Sequence, residues 1–278
     1  MKTKFVPSEH RLSFNHQETL EDLADSIRYT KNKSRLGGGF SLMESEHIKI
    51  GRDAYFGGGD IKALKQNFHV SAKLASLGSI YSSGDGSLFT WPDYLYGMLS
   101  DSPAAIHACS TMATAQFIER RDKPTVYQFY RHMYQLAIRE EYSELDTKLT
   151  IAKKSTVKKV REHFEGAIEF FSLFLERDKK GLEELILKEA KRWQTKLNRN
   201  ADTRAVITSH VMAADAMEYA KLCWLKGIEV EIDHPLFPME LLPLKPLEHY
   251  DDVYDFLSSD WTPPTQNFIQ KITKWFSK

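Results

Sequence analysis

Residues 206–227 read VITSHVMAADAMEYAKLCWLKG, and their spacing decides the fold class. Val206, His210, Ala213, Met217, Ala220 and Trp224 recur in steps of four and three, the interval that puts side chains on one face of an α-helix. Gly227 follows where a residue of left-handed conformation would close the last turn. Upstream, Leu182, Ile186, Ala190, Trp193 and Leu197 form a second stripe, and Val157, Val160, Phe164, Ile168, Phe171 and Leu175 a third. Only the polar segment Glu176 to Gly181 separates these two, so they are expected to pack as an antiparallel pair.

The helical pattern continues toward the N-terminus. Pro124 is placed to open a helix carrying Val126, Tyr130, Met133 and Ala137. Trp91 to Arg121 holds two shorter helical patterns parted near Asp101, with Pro103 suited to the first turn of the second. Asp60 is an N-cap candidate for a helix with the stripe Ile61, Leu64, Phe68, Ala72 and Ala75. Leu20, Leu23, Ala24 and Ile27 give an earlier helix, halted by Gly37, Gly38 and Gly39, and Gly84-Asp85-Gly86 marks a turn.

Beyond Gly227 the period changes. Ile228, Val230 and Ile232 alternate with Glu229, Glu231 and Asp233, which predicts a short extended segment with one apolar and one acidic face. Pro235, Pro238, Pro243 and Pro246 exclude a long helix there, and Pro263 and Pro264 introduce a last one bearing Phe268, Ile269, Ile272, Trp275 and Phe276. The expected fold is all-α, a single domain over residues 1–278. It is expected to be an array of antiparallel helical hairpins with an irregular, proline-rich stretch near the C-terminus.

Composition narrows the function. Apolar residues at 42% and aromatics at 12% of 278 residues can fill a core, which excludes a disordered chain. With 38 basic and 38 acidic residues the net charge is zero, which removes the global field of a dedicated nucleic-acid binder. Cys109 and Cys223 are too few for a disulfide framework and lack zinc-type spacing. The start carries no secretory pattern and no run is long enough to span a bilayer, so a cytoplasmic protein without a membrane partner is expected.

Signatures of catalysis are missing: there is no G-x-S-x-G, H-E-x-x-H, C-x-x-C or Walker-type loop. The glycine triplets at 37–39 and 57–59 read as hinges or helix termini, since neither is followed by Lys-Ser or Lys-Thr. His210 lies on an apolar helix face with Asp215 too far round to partner it, and His107 and Cys109, two apart, point to different faces. His10 and His16 sit in an irregular start without a carboxylate pattern. No catalytic residue, metal or cofactor is therefore expected, although a cryptic hydrolase using a histidine beside an acid stands as a weaker alternative.

Charge distribution says more than charge total. Residues 121–200 hold 18 basic and 13 acidic side chains, whereas 201–278 hold 7 and 12. The basic cluster Lys153, Lys154, Lys158, Lys159 and Arg161 falls on the polar side of its helix and reads as a solvated face. Within 229–260 nine acids face one base, Lys245, and Tyr250, Tyr254, Phe256 and Trp261 are interleaved with them. Two readings stand side by side. The segment is either a docking face for a basic protein, steered by charge and held by aromatics, or a solvated acidic loop whose aromatics anchor it to the core.

Residues 213–257, AADAMEYAKLCWLKGIEVEIDHPLFPMELLPLKPLEHYDDVYDFL, resemble the C-terminal signature of the Immunity protein 49 family of bacterial polymorphic and contact-delivered toxin systems. The shared pattern is a small-residue-rich helix (Ala213, Ala214, Ala220) ending in Trp224 and Gly227, then an acidic turn with Asp233, Pro235 and Pro238, then a leucine-rich close. The resemblance implies a protein that binds a cognate toxin stoichiometrically in the producing cell. Such toxins are often nucleases or other enzymes acting on cytosolic targets, and an acidic surface would suit the basic cleft of a nuclease. On that reading Glu229, Glu231, Asp233, Asp251, Asp252 and Asp255 are the steering charges, and Tyr250 and Tyr254 the anchors. The alternative is a non-catalytic helical scaffold or regulator. Neither reading sets the oligomeric state.

Overall fold

A computed structural model describes residues 17, 19–28, 36–81, 94–154, 164–199 and 212–258. Among them lie eleven α-helices: α1 (19–28), α2 (Leu36–Gly58), α3 (Ile61–Tyr81), α4 (Tyr94–Leu99), α5 (Pro103–Thr111), α6 (Ala115–Arg120), α7 (Tyr127–Ile138), α8 (Tyr142–Lys153), α9 (Glu165–Glu176), α10 (Lys179–Arg199) and α11 (Ala214–Leu225). Two 3-10 turns follow, Met239–Leu241 and Asp255–Leu257, and the described residues contain no strand. The fold is all-α.

Of the opening stretch, residues 212–227 are described and Val206 and His210 lie outside them; α11 begins at Ala214, so Ala213, which the spacing places within the helix, is instead its N-cap residue. The helix ends as its sequence predicts. Gly227 adopts φ +71°, its N–H bonds to Trp224 O at 3.1 Å, and Ile228 N–H bonds to Cys223 O at 2.8 Å. These two bonds satisfy carbonyls the helix would leave open, the Schellman arrangement that favours glycine. Met217, Ala220, Leu222 and Cys223 are fully buried, against α10, α4 and α7. Each of the larger apolar side chains contributes about 1.5–3 kcal/mol by leaving water.

Helices α2 and α3 form the most extensive contact among the described helices. Gly59 (φ +72°) and Asp60 join them, and Asp60 Oδ1 accepts the Ala63 N–H at 2.9 Å, the expected N-cap. Gly37, Gly38 and Gly39 do not halt a helix but lie in the first turn of α2, so both triplets occupy helix termini. The cost of glycine in that turn is offset by a buried stripe not read from the sequence, Phe40, Met43, His47, Gly51 and Tyr55.

Ser102 caps α5 through Ala105 N–H, with Pro103 in the first turn as expected. A further break at residues 112–114 separates α6 from α5, so the region holds three short helices where two are predicted. Helix α7 starts at Tyr127, after a turn containing Pro124, and is buried from Gln128 to Ile138 on every side. Helix α8, absent from the sequence reading, buries Leu145, Leu149 and Ala152 after a left-handed turn at Glu140. Helices α9 and α10 pack together, joined through Arg177 in left-handed conformation. Residues 155–163, with Val157, Val160, Lys158, Lys159 and Arg161, lie outside the described residues. So do His10, His16, Gly84–Gly86, Trp261 and the residues 263–276 for which the sequence predicts a last helix.

After Gly227 the alternation holds: Ile228, Val230 and Ile232 are buried, and Glu229, Glu231 and Asp233 are exposed. Side chains replace a sheet ladder. Trp224 Nε1–H donates to Val230 O at 2.9 Å, and Glu231 N–H donates to Glu183 at 2.9 Å. The chain then runs as a strap, residues 241–258, across α3 and α2. Leu257 enters a satellite core with Phe40, Met43, Val70 and Leu74, beside the principal core, which takes Ile48 and Tyr55 from the same helix α2.

Candidate functional site

The strap is fixed at one end by buried charge. Asp101, in left-handed conformation (φ 57°) before α5, has a fully buried side chain. Its Oδ1 lies 2.5 Å from Lys221 Nζ on α11 and its Oδ2 lies 2.7 Å from Lys65 Nζ on α3. Lys221 also donates to Leu241 O (2.9 Å) and Leu242 O (3.0 Å), Lys65 donates to Lys245 O (2.5 Å), and Lys245 N–H returns to Asp101 Oδ2 (3.1 Å). Burial draws the Lys221 ammonium below its ordinary value, and Asp101 opposes that shift.

Two histidines fix the rest. Asn67 Nδ2 donates to Ala63 O, which leaves Asn67 Oδ1 to accept from His47 Nδ1 at 2.7 Å. His47 Nε2 then accepts the Tyr254 hydroxyl at 2.8 Å. His69 Nε2 faces Asp252 Oδ1 at 3.3 Å and its Nδ1 faces Ser102 Oγ at 2.8 Å. Burial holds both imidazoles below their usual value, against the opposing hydrogen bonds. Asp252 is kept below the usual carboxylate range: burial pushes it up, but Lys73 at 2.5 Å and His69 together outweigh that. The Ser102–His69–Asp252 line resembles a hydrolase triad in residue type only. Ser102 is 1% exposed and its hydroxyl caps α5, so no substrate carbonyl reaches it.

The eight residues predicted as a partner face divide into two groups and two roles. Glu229, Glu231 and Asp233 line the extended segment beside α10, where Glu231 lies 3.9 Å from Lys179. Asp251, Asp252 and Asp255 lie on the strap over α2 and α3, and Asp251 pairs with His249 at 2.9 Å. All six acids are exposed. Both tyrosines turn their hydroxyls inward. Tyr250 donates to Ser100 O at 2.5 Å and stacks near His69, while Tyr254 meets His47 and lies flat against Phe256 at 4.9 Å. Burial raises the pKa of both phenols, that of Tyr254 to about 12.

A second feature was not read from the sequence. Helices α7, α9, α10 and α11 enclose a cleft of about 570 Å³. At its base Arg131 of α7 forms a bidentate pair with Glu218 of α11 (2.8 and 3.0 Å), and its guanidinium lies over the rings of Tyr94 (4.1 Å) and Tyr134 (5.0 Å). Burial opposes the charge on Arg131, but Glu218 and the neighbouring tyrosines hold its pKa well above the ordinary value. Tyr130 stacks on Phe164 at 3.8 Å, and Tyr127, Trp193, Glu189, Arg192 and Asp215 complete the walls. The available signal was a pair of opposite charges within two largely apolar helices, Arg131 and Glu218, 87 residues apart. Among the described residues no group of three His, Cys, Asp or Glu side chains is placed to hold a metal, and no helix is long and apolar enough to cross a membrane.

Fold and site together define an all-α protein with a charge-pinned strap and an aromatic cleft. The chain belongs to the Immunity protein 49 family, whose model matches residues 100–241, about half of the sequence. That span runs from the turn holding Asp101 through α11 to the first 3-10 turn, and so contains every residue lining the cleft. It includes Glu229, Glu231 and Asp233 but ends before the strap acids Asp251, Asp252 and Asp255. No curated protein and no solved structure matches the chain.

Proposed function

We propose that this protein binds one cognate bacterial toxin stoichiometrically in the cytoplasm and neutralises it by covering its working surface, protecting the cell that makes both. The observation that carries this reading is membership of an immunity family across α5–α11. Protection in this reading comes from binding, not turnover. The exposed acids supply the encounter. Glu229, Glu231 and Asp233, inside the matched span, form one charged edge, and Asp251, Asp252 and Asp255 form a second on the strap. Such edges speed association with a basic surface, which suits a nuclease domain as the toxin. Tyr250 and Tyr254 contribute by holding the strap in place.

The test is co-expression with the toxin encoded beside this gene. Rescue of growth and a one-to-one complex are expected. Replacing Glu229, Glu231 and Asp233 with lysine should slow association about tenfold or more at low salt, with little change in dissociation rate. Failure of the intact chain to bind or protect overturns the reading; an unchanged association rate in the charge-reversed variant removes the acidic edge from it.

A further inference from the structure

We infer that the cleft between α7, α9, α10 and α11 receives a cationic side chain, a lysine or arginine, presented by the toxin. This rests on the toxin-binding reading above and adds the chemistry of one contact. The cleft's own charges point to a cation. Arg131 is closed by both Glu218 oxygens and Arg192 lies 3.5 Å from Glu189. With those two pairs formed, Asp215, exposed in the first turn of α11, gives the described residues of the walls a net negative charge. The rest of the described wall is aromatic or small, with Tyr127 and Trp193 at least part-exposed and Phe164 backed by Tyr130. Ring faces attract a cation electrostatically, more strongly once water is excluded.

The floor already shows the same chemistry at work: Arg131 is held there by a carboxylate and by tyrosine faces. A cavity of about 570 Å³ exceeds one side chain, so it admits the residue together with part of the loop that carries it. An anionic ligand is disfavoured, because both arginines at the cleft face carboxylates of this chain. A buried cation in an aromatic pocket is also the kind of contact that holds a protein complex together, complementing the steering charges of Glu229, Glu231 and Asp233.

Two measurements test this. In the first, N-acetyl-arginine methylamide is titrated into the full chain while the Trp193 indole N–H resonance is followed, with the neutral citrulline analogue as control. A saturable shift for the arginine probe alone is expected, with affinity reduced about tenfold in Asp215→Asn. Equal response to both probes, or no saturable shift, overturns the proposal. In the second, the cognate toxin is titrated into the wild type, Asp215→Asn and Trp193→Ala. Slower dissociation from the wild type than from either variant is expected. Equal dissociation from all three overturns the cleft while leaving the immunity reading intact. A toxin that does not bind the wild type overturns the immunity reading, and the probe titration then still decides whether the cleft takes a cation. Asp215 is exposed, so its variant keeps the test informative if Trp193→Ala fails to fold.

Discussion

Replacing Asp101 with asparagine tests whether the strap is held by charge or by shape. Asparagine matches aspartate in size and tolerates the left-handed backbone at φ 57°, so the change removes the charge and turns one of the two acceptor oxygens into an N–H donor, at nearly constant shape. Lys221 and Lys65 keep their carbonyl partners but lose the carboxylate lying 2.5 and 2.7 Å from them. Breaking a buried pair from one side costs about 3–5 kcal/mol. An independent ceiling agrees. A lysine can escape by losing its proton, which at pH 7 costs about 5 kcal/mol from an ordinary value near 10.4. A loss of about 3–5 kcal/mol lowers the melting temperature by roughly 10 °C in a chain of this size.

The sign of the pH dependence separates charge from packing. If a lysine is neutral in the folded variant, the unfolded variant binds more protons between pH 7 and 10. Its stability then rises with pH across that window, and the gap to the wild type narrows. Urea unfolding at pH 7 and pH 9.5 reads both quantities, and adding Lys221→Met should recover part of the loss. A deficit under about 1 kcal/mol that does not change with pH would refute the reasoning.

Three further outcomes are expected. A methyl group at Gly97 would lie 2.5 Å from the Cys109 sulfur where α4 crosses α5, so Gly97→Ala should cost about 1–3 kcal/mol, and adding Cys109→Ala should return much of it in denaturant titrations. Tyr254→Phe removes the hydroxyl from His47 and should cost about 1 kcal/mol while leaving toxin association unchanged; a loss of association would make this tyrosine a partner contact. Burial, together with Lys148, Arg121 and Arg139, lowers His132 to about 4. The folded value lies below the ordinary 6.5, so its contribution is complete above pH 6.5 and is lost as pH falls toward 4. Thermal melts should show that decline, and His132→Phe should flatten it.

The elements legible in the sequence are those whose cause is local. Gly227 ends α11 because only neighbouring carbonyls need satisfying, Asp60 caps a helix whose open N–H group lies three residues away, and Pro103 sits in the first turn of α5, where its missing N–H costs nothing. The alternation from Ile228 to Asp233 survives because the period of an extended chain alone sorts its faces. Where the determining partner is distant, the reading fails. Glycines in the first turn of α2 read as a stop, since the α3 surface that offsets their cost is not encoded beside them. Tyr250 and Tyr254 look the same in sequence whether they face a partner or their own core. His47, 207 residues from Tyr254, and Ser100, 150 residues from Tyr250, turn them inward.

The sequence by itself therefore determined the helical class, the ends of a few helices and the acidic bias of residues 229–255, because periodicity, caps and charge are properties of adjacent residues. Tertiary structure alone decided that Asp101 sits between Lys65 and Lys221, that Arg131 meets Glu218, and that four helices leave an aromatic cleft around that pair. A buried charge needs a partner in space, and only the folded chain brings α3, α7 and α11 close enough to supply one.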